Sequence, residues 1–210
     1  MMMEPSDDRM REFVSQTKQA LRQRMRGLRA SMPQAAFDER SERIRDAVLA
    51  MEEVVAARRV GLFWPISSKR ELDLRPLDAA LRDRNKELYY PFMDPKENGA
   101  FETGFRPVPH PSELRERGRG FAEPDPCREA ARHGELDVIV VPALAADPRG
   151  HRLGYGGGVY DATLPDFCPP ALAVAVLFDF QVVVELPLVE TDIPCQVVVT
   201  DARILDCRNL

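Results

Sequence analysis

The hydrophobic pattern of the chain is helical near the start. Apolar residues recur at spacings of four, three and four, at Leu21, Met25, Leu28 and Met32. This spacing predicts one amphipathic helix, which Pro33 ends. A second helix is predicted from residue 34 to about residue 56, with its apolar side chains directed inward. The polar, acidic residues 1–12 are expected to form a disordered tail.

From residue 59 onward, short apolar runs alternate with helical patterns. Strands are predicted at 59–65, 87–92, 100–106, 136–141, 171–178 and 195–200, with a helix at 72–84. Residues 107–126 are rich in proline, glycine and charge, which is typical of a surface connection. Strands separated by helices favour a mostly parallel sheet covered on both faces. We therefore expect a single α/β domain over residues 1–210, with three α/β/α layers preceded by two N-terminal helices.

Composition narrows the class of protein. The 210 residues carry a net charge of −5, with 44% hydrophobic and 30% charged residues, as in ordinary globular proteins. The acidity argues against a nucleic-acid partner. No apolar run approaches the ~20 residues that span a membrane, so no membrane partner is expected. The four cysteines lie far apart without a CxxC motif, which excludes a disulfide framework and argues against a zinc site. A cytoplasmic enzyme is the expectation.

The charge is unevenly distributed along the chain. No acidic residue lies between Glu12 and Asp38, whereas five basic residues do: Lys18, Arg22, Arg24, Arg26 and Arg29. The remainder of the chain therefore carries −10. Lys18 and Arg22 are four residues apart, so they share one face of the predicted helix. These cations form either a solvated helix face or an anion site that binds a phosphate or carboxylate.

A glycine-rich turn follows the strand at 136–141, and ligands of α/β proteins bind beyond the carboxyl ends of such strands. Arg152 precedes four glycines in the turn, and a helix is predicted to begin near Val159. Glycines allow a close approach of the backbone to a phosphate, and a helix start supplies free N–H donors. The sequence matches neither the P-loop nor the GxGxxG pattern. A flexible turn is the alternative, but the strand–turn–helix context favours a phosphate site.

At this turn the sequence resembles a known family. The string PALAADPRGHRLGYGGGVYD, residues 142–161, is similar to the signature of the 5-formyltetrahydrofolate cyclo-ligase family. Shorter similarities are found at 18–22 (KQALR), 63–65 (FWP), 71–73 (ELD), 90–91 and 121–124 (FAEP). The resemblance implies a fold of the sugar-phosphate isomerase and coenzyme-A transferase type.

The resemblance also implies an ATP-dependent, Mg²⁺-requiring enzyme. Such enzymes transfer the γ-phosphate of ATP to the formyl oxygen of 5-formyltetrahydrofolate. Nitrogen N10 then attacks, and phosphate leaves to give 5,10-methenyltetrahydrofolate. This chemistry needs positioning and charge neutralisation more than a protein nucleophile, and the sequence offers no recognisable nucleophile–base pair.

The resemblance assigns site residues by position. The expected ATP ligands are basic residues and the glycine turn: Lys18, Arg22, Arg152, Leu153, Gly154, Tyr155, Gly156, Gly157, Gly158, Val159 and Tyr160. Arg152 and Tyr160 are the expected catalytic residues. The expected contacts to the reduced folate are Trp64, Glu71, Phe121, Tyr155, Gly156, Gly157, Gly158 and Val159. Asp161 and Asp192 are the expected Mg²⁺ ligands, since a cation that bridges phosphates prefers one or two carboxylates.

Several of these residues have a purely structural interpretation. Asp161 and Glu71 suit the first turn of a helix, and Asp192 suits a turn before a proline. Trp64, the only tryptophan, suits a core position. For Tyr155, a loop aromatic without ligand contact is the alternative.

The sequence also departs from the family pattern. Ala146 stands where the family commonly has phenylalanine, and Val159 where it usually has tyrosine. Residues 67–70 add Lys69 and Arg70 to a loop that is usually short. Two other functions therefore stay open: an ATP-dependent kinase or ligase for another small acid, and a non-catalytic anion-binding protein. Both a monomer and a homodimer are compatible with the sequence.

Overall fold

The structure, a computed structural model, describes residues 7–208 of the chain. Its strands in chain order are β1 (Arg59–Gly61), β2 (Glu87–Pro95), β3 (Phe101–Pro107), β4 (Arg115–Glu116), β5 (Ala122–Glu123), β6 (Val138–Pro142), β7 (Ala145–Ala146), β8 (Arg152–Leu153), β9 (Leu172–Val176), β10 (Val197–Val199) and β11 (Ile204–Asp206). Seven of them form the central sheet, in the order β11-β10-β9-β6-β1-β2-β3. The five central strands are parallel, and the edge strands β11 and β3 are antiparallel to their neighbours.

The helices are α1 (Asp7–Ala30), α2 (Gln34–Ala50), α3 (Glu52–Ala56), α4 (Arg75–Asp83) and α5 (Val159–Thr163). Short 3₁₀ turns occupy Ser67–Lys69, Pro111–Glu113, Leu164–Asp166 and Asp179–Gln181. The predicted α/β fold with a mostly parallel sheet is therefore confirmed.

Strand β6 shows that the sheet is covered on both faces. Its alternate residues Val138 and Val140 pack with the side chains of α2 and α4, and all are buried. Ile139 and Val141 point to the opposite face, where Leu164 and Phe167 cover them. A strand buried on both sides reads as an unbroken apolar run. The second face is covered by the short α5 and the adjoining 3₁₀ turn rather than by long helices.

The predicted helix at 34–56 is interrupted. At Met51 the backbone is extended, with φ −62° and ψ 132°, so α2 ends there and α3 begins. The break redirects the chain so that Met51 and Val54 both enter the main core. Side-chain spacing alone does not reveal such a break, because both segments keep a helical pattern.

Other boundaries also differ from the prediction. Residues 7–12, expected in a disordered tail, belong to α1, since neither proline nor glycine interrupts residues 7–26. The rest of the predicted tail, residues 1–6, lies outside the described residues. Strand β1 ends at Gly61 rather than near residue 65, and β11 follows the strand that was expected to be the last. The predicted connection at 107–126 contains the small β4–β5 pair.

Candidate active site

A cleft of about 400 Å³ lies at the carboxyl ends of the parallel strands, where Phe63 follows β1 and Pro142 ends β6. Every residue that the sequence analysis assigned to the site lines this cleft: Lys18, Arg22, Trp64, Glu71, Phe121, Arg152, Leu153, Gly154, Tyr155, Gly156, Gly157, Gly158, Val159, Tyr160, Asp161 and Asp192. These residues come from six separate segments of the chain. The fold therefore brings the predicted site residues together, while their individual roles stay predictions.

Helix α1 forms one wall of the cleft through its basic face. The Nε atom of Arg22 donates a hydrogen bond to the carbonyl oxygen of Gly154, at 2.9 Å. Gly156 has φ +102°, and a Cβ atom there would lie 3.7 Å from the guanidinium carbon of Arg22. Such a φ value strongly favours glycine over any L-residue with a side chain. The glycine turn and α1 are thus joined by direct contact.

Two ion pairs connect the predicted phosphate ligands with the predicted metal ligands. The Nζ atom of Lys18 lies 2.5 Å from Oδ2 of Asp192. The Nη2 atom of Arg152 lies 2.9 Å from Oδ1 of Asp161, and Nη1 donates to the carbonyl oxygen of Ile193. Two of the cations of this end of the cleft, which we call the phosphate end, are therefore neutralised by carboxylates within the site.

The helix predicted to begin near Val159 is present, but it is short. Gly158 caps α5 with φ +66°, and the helix has only five residues. A single turn has a small macrodipole, so side-chain cations rather than a helix dipole supply the positive charge here.

A second group of cleft residues, which we call the substrate end, is aromatic with one buried acid. The half-buried Trp64 packs edge-to-face against Tyr90, with ring centroids 6.3 Å apart. Trp64 therefore packs against the core and also lines the cleft. This position is compatible with both interpretations of Trp64, a core aromatic and a contact to the folate. Glu71 is only 5% exposed, and its Oε2 accepts a hydrogen bond of 2.8 Å from the backbone N–H of Ile66. Burial raises the pKa of Glu71, the backbone hydrogen bond opposing this.

Tyr160 stands between the two ends. Burial raises the pKa of its phenol strongly, and the nearby charge of Glu71 adds to the shift, whereas Arg152 opposes it. The hydroxyl group therefore stays protonated at physiological pH and is available as a hydrogen-bond donor.

Comparisons with known proteins identify the family of the chain. The family model described as the 5-formyltetrahydrofolate cyclo-ligase family matches residues 14–201. The chain belongs to this family. The 5-formyltetrahydrofolate cyclo-ligase of Escherichia coli strain K12 is 33% identical over 187 residues, covering 88% of this chain and 98% of that protein. The enzyme of the same name from Mycolicibacterium smegmatis is 31% identical over 194 residues, covering 89% of this chain and 95% of that one.

A solved structure of the same kind resembles this one. The 5,10-methenyltetrahydrofolate synthetase of Aquifex aeolicus, determined by NMR, superposes with a TM-score of 0.76 at 31% identity. The match covers 92% of this chain and 94% of that one. The expectation of an enzyme with the family's α/β fold is confirmed. Within residues 7–208, no helix has both the length and the apolarity needed to cross a membrane.

The cleft also contains residues that were not assigned to the site from the sequence. They are Phe63, Ile66, Lys69, Pro91, Met93, Arg119, Gly120 and Pro142. Arg119 pairs with the buried Glu123 at 3.1 Å, in a segment whose composition indicated only a surface connection. Phe63, Pro91 and Pro142 lie in segments that resemble the family. No local pattern marks the other five, because the loops that carry them meet only in the folded chain.

Arg29 is another residue that the sequence did not assign to the site, although it is one of the five basic residues between Glu12 and Asp38. Its side chain is buried, and Nη2 donates to the hydroxyl oxygen of Tyr155, at 2.5 Å, and to the carbonyl oxygen of Lys69, at 2.7 Å. Tyr155 is thus more than a loop aromatic. Three cations surround its ring at 5.3–5.6 Å from the centroid: Arg26, Arg29 and Lys69.

Proposed function

We propose that this chain uses ATP to convert 5-formyltetrahydrofolate to 5,10-methenyltetrahydrofolate. The γ-phosphoryl group passes from ATP to the formyl oxygen, and ADP leaves. Nitrogen N10 then attacks the former formyl carbon and loses its proton. The carbon–oxygen bond breaks, phosphate departs with that oxygen, and the five-membered ring is closed.

One observation carries this proposal: a single cleft joins a cationic, glycine-lined end to an aromatic, acid-bearing end. Direct phosphoryl transfer requires the γ-phosphate and the accepting oxygen to meet in line, without water between them. Two separate sites would not allow this. The names of the relatives, which act on 5-formyltetrahydrofolate, support the same substrate for this chain.

At the phosphate end, Lys18, Arg22 and Arg152 would neutralise the charge of the triphosphate. The N–H groups of the exposed glycines Gly156, Gly157 and Gly158 are placed for backbone contacts with its oxygens. Arg152 adds a fixed, delocalised charge, held by the carbonyl oxygen of Ile193. As charge spreads over the transferring group, such preorganised donors lower the barrier without having to reorient.

The carboxylates fit the Mg²⁺ that this chemistry implies. No group of three or more Asp, Glu, His or Cys side chains in the described part of the chain is arranged to hold a metal by itself. Nucleotide-bound Mg²⁺ needs only one or two carboxylates besides phosphate oxygens and water, and Asp161 and Asp192 supply these. When bound, the ion would neutralise phosphate charge. Lys18 and Arg152 would then exchange carboxylate partners for phosphate partners.

At the substrate end, Trp64 and Phe121 offer flat surfaces for the aromatic rings of a reduced folate. Glu71, ionised, accepts hydrogen bonds from ring N–H groups. Tyr160 keeps its proton and donates to the formyl oxygen or to the phosphoryl group that it receives. Removing water from this end strengthens each of these polar contacts.

The test is an absorbance assay with 5-formyltetrahydrofolate and MgATP. We expect near-ultraviolet absorbance of the methenyl product to appear only when enzyme, folate, ATP and Mg²⁺ are all present. Omission of each component in turn is the control. No increase over the enzyme-free sample at saturating substrates would refute the proposal.

A further inference from the structure

The basic face of α1 has a buried member that does not reach the cleft. Arg29, in the last turn of the helix, is 3% exposed, whereas Arg24 and Arg26 on the same helix are exposed. Burying a guanidinium group costs free energy unless polar groups surround it. Exposed basic residues keep a helix face solvated, but this reason does not apply to a buried arginine such as Arg29.

The partners of Arg29 connect three parts of the chain. One nitrogen, Nη2, donates to both the carbonyl oxygen of Lys69 and the hydroxyl oxygen of Tyr155. The Nε atom is buried without a hydrogen-bond partner among the described residues.

Tyr155 carries the effect of Arg29 to Glu71. Since the Tyr155 hydroxyl oxygen accepts from Arg29, its proton is free to point elsewhere. Glu71 lines the same cleft as Tyr155, and it also lines a small adjoining cavity together with Arg29, so its carboxyl group is the neighbouring acid. Glu71 is held on its other side by the backbone N–H of Ile66. The order is therefore guanidinium, phenol, carboxylate, backbone amide.

The charges around Glu71 come from several elements. Tyr155 from the glycine turn, Arg29 from α1 and Lys69 from the loop of Glu71 itself all lower the pKa of Glu71. Tyr160 of α5 lies within electrostatic reach and has itself a raised pKa. Burial of Glu71 acts in the opposite direction. Arg29 is the only one of these groups that combines a permanent charge with a fixed, buried position.

We infer that Arg29 is a positioning residue for the substrate end of the cleft: through the Tyr155 hydroxyl it orients the carboxyl group of Glu71 toward the N–H donors of the bound heterocycle. It does not touch the substrate. This inference rests on the proposed function, because it assigns a task to the substrate end of that same site.

The test compares Arg29→Met and Arg29→Lys with Arg24→Gln, an exposed arginine on the same helix, as matched control. In Arg29→Met we expect kcat/KM for 5-formyltetrahydrofolate to fall roughly 10- to 100-fold, as for loss of a charge-assisted hydrogen bond. The KM for ATP changes less than about twofold, and the acidic limb of the pH profile moves to higher pH. Arg29→Lys recovers part of the loss, because it restores the charge but not the planar donor.

A double-mutant cycle with Tyr155→Phe separates positioning from a general structural role. If Arg29 acts through the Tyr155 hydroxyl, the two losses are far from additive, and Arg29→Met costs little further in the Tyr155→Phe background. Additive losses, an unshifted acidic limb or an equal loss of ATP affinity would overturn the inference. If Arg29→Met does not fold, Tyr155→Phe and Arg29→Lys decide alone: a wild-type folate KM in both would equally overturn it.

The wild-type protein separates this inference from the proposed function. Absence of methenyl product with wild-type enzyme defeats the proposed function. An active wild type with unaffected Arg29 variants defeats only the inference.

Discussion

The two ends of the cleft handle charge differently. At the phosphate end, cation and carboxylate are in direct contact, as in the Lys18–Asp192 and Arg152–Asp161 pairs. At the substrate end, a buried cation and a buried acid, Arg29 and Glu71, line one small cavity, and the hydroxyl oxygen of Tyr155 accepts a hydrogen bond from Arg29. Direct pairs can be exchanged for a ligand's charges, whereas a spaced pair leaves the acid ionised and available. The first suits a charged ligand bound with its metal, and the second suits a ring with N–H donors.

Arg152→Ala is the strongest test of this contrast. We expect kcat/KM for ATP to fall about 10²- to 10³-fold, the usual cost of removing a preorganised donor at a transferring group. The folate KM changes little. Arg149→Ala, which removes an exposed arginine three residues earlier, is the control and is expected to behave as wild type. Unchanged ATP affinity in Arg152→Ala would remove the distinction between the two ends.

Glu71→Gln should affect the other end. Its expected result is a roughly 10- to 100-fold loss in kcat/KM for the folate with an unchanged KM for ATP, because a charged acceptor becomes a neutral one. The exposed Glu97→Gln variant is the control. A loss shared equally between ATP and folate would contradict the separation of the two ends.

The pH dependence of kcat/KM for the folate tests whether Glu71 acts at the substrate end. In the proposed site, the ionised carboxylate of Glu71 is the binding form, so we expect affinity for the folate to be present above its pKa and lost as the pH falls through it. Because burial raises this pKa, the loss occurs at a higher pH than for an ordinary glutamate. This limb should be absent in Glu71→Gln. A limb that persists in Glu71→Gln would assign the titration to another group.

Gly156→Ala tests how tightly α1 is joined to the phosphate end. An alanine at φ +102° should cost about 1–2 kcal/mol locally, and ATP affinity should fall about tenfold as the turn moves away from Arg22. The control is Gly27→Ala in the exposed interior of α1, where we expect a gain in stability of about 0.5–1 kcal/mol. Thermal unfolding and nucleotide titration measure the two effects. Wild-type nucleotide affinity in Gly156→Ala would show that the turn does not need this conformation.

Asp192→Asn should have the smallest effect and the most specific one. Without its carboxylate partner, Lys18 is free, so metal-free tripolyphosphate should bind about two- to fivefold more tightly than to wild type. The additional affinity that Mg²⁺ provides should decrease. Calorimetry with and without Mg²⁺ separates the metal-free affinity from the affinity that Mg²⁺ adds. Weaker metal-free binding in Asp192→Asn would contradict the proposal that Lys18 exchanges Asp192 for a phosphate.

The fold brings into one cleft the residues that the family resemblance assigned to the site, whereas several helix and strand boundaries differ from the prediction. The residues alone favoured a phosphate site at the glycine turn and left the role of the basic helix face open, and it was the resemblance that joined Lys18, Arg152 and Gly156 in one site. The break at Met51 depends on tertiary packing, which outweighs local spacing. The extension of α1 to Asp7 agrees instead with the absence of proline and glycine from residues 7–26. Arg29 and Lys69 were not assigned because their importance lies in contacts across about 40 and 126 residues of chain. The pairing of Lys18 with Asp192 was unpredictable for the same reason.

The stoichiometry of ADP and methenyl product in one reaction tests the central claim most directly, because the claim is that both ends of one cleft serve a single reaction. With limiting 5-formyltetrahydrofolate and excess MgATP, we expect equal amounts of ADP and 5,10-methenyltetrahydrofolate, formed at the same rate. ADP formed in the absence of the folate at that rate, or methenyl product formed without ADP, would contradict the account.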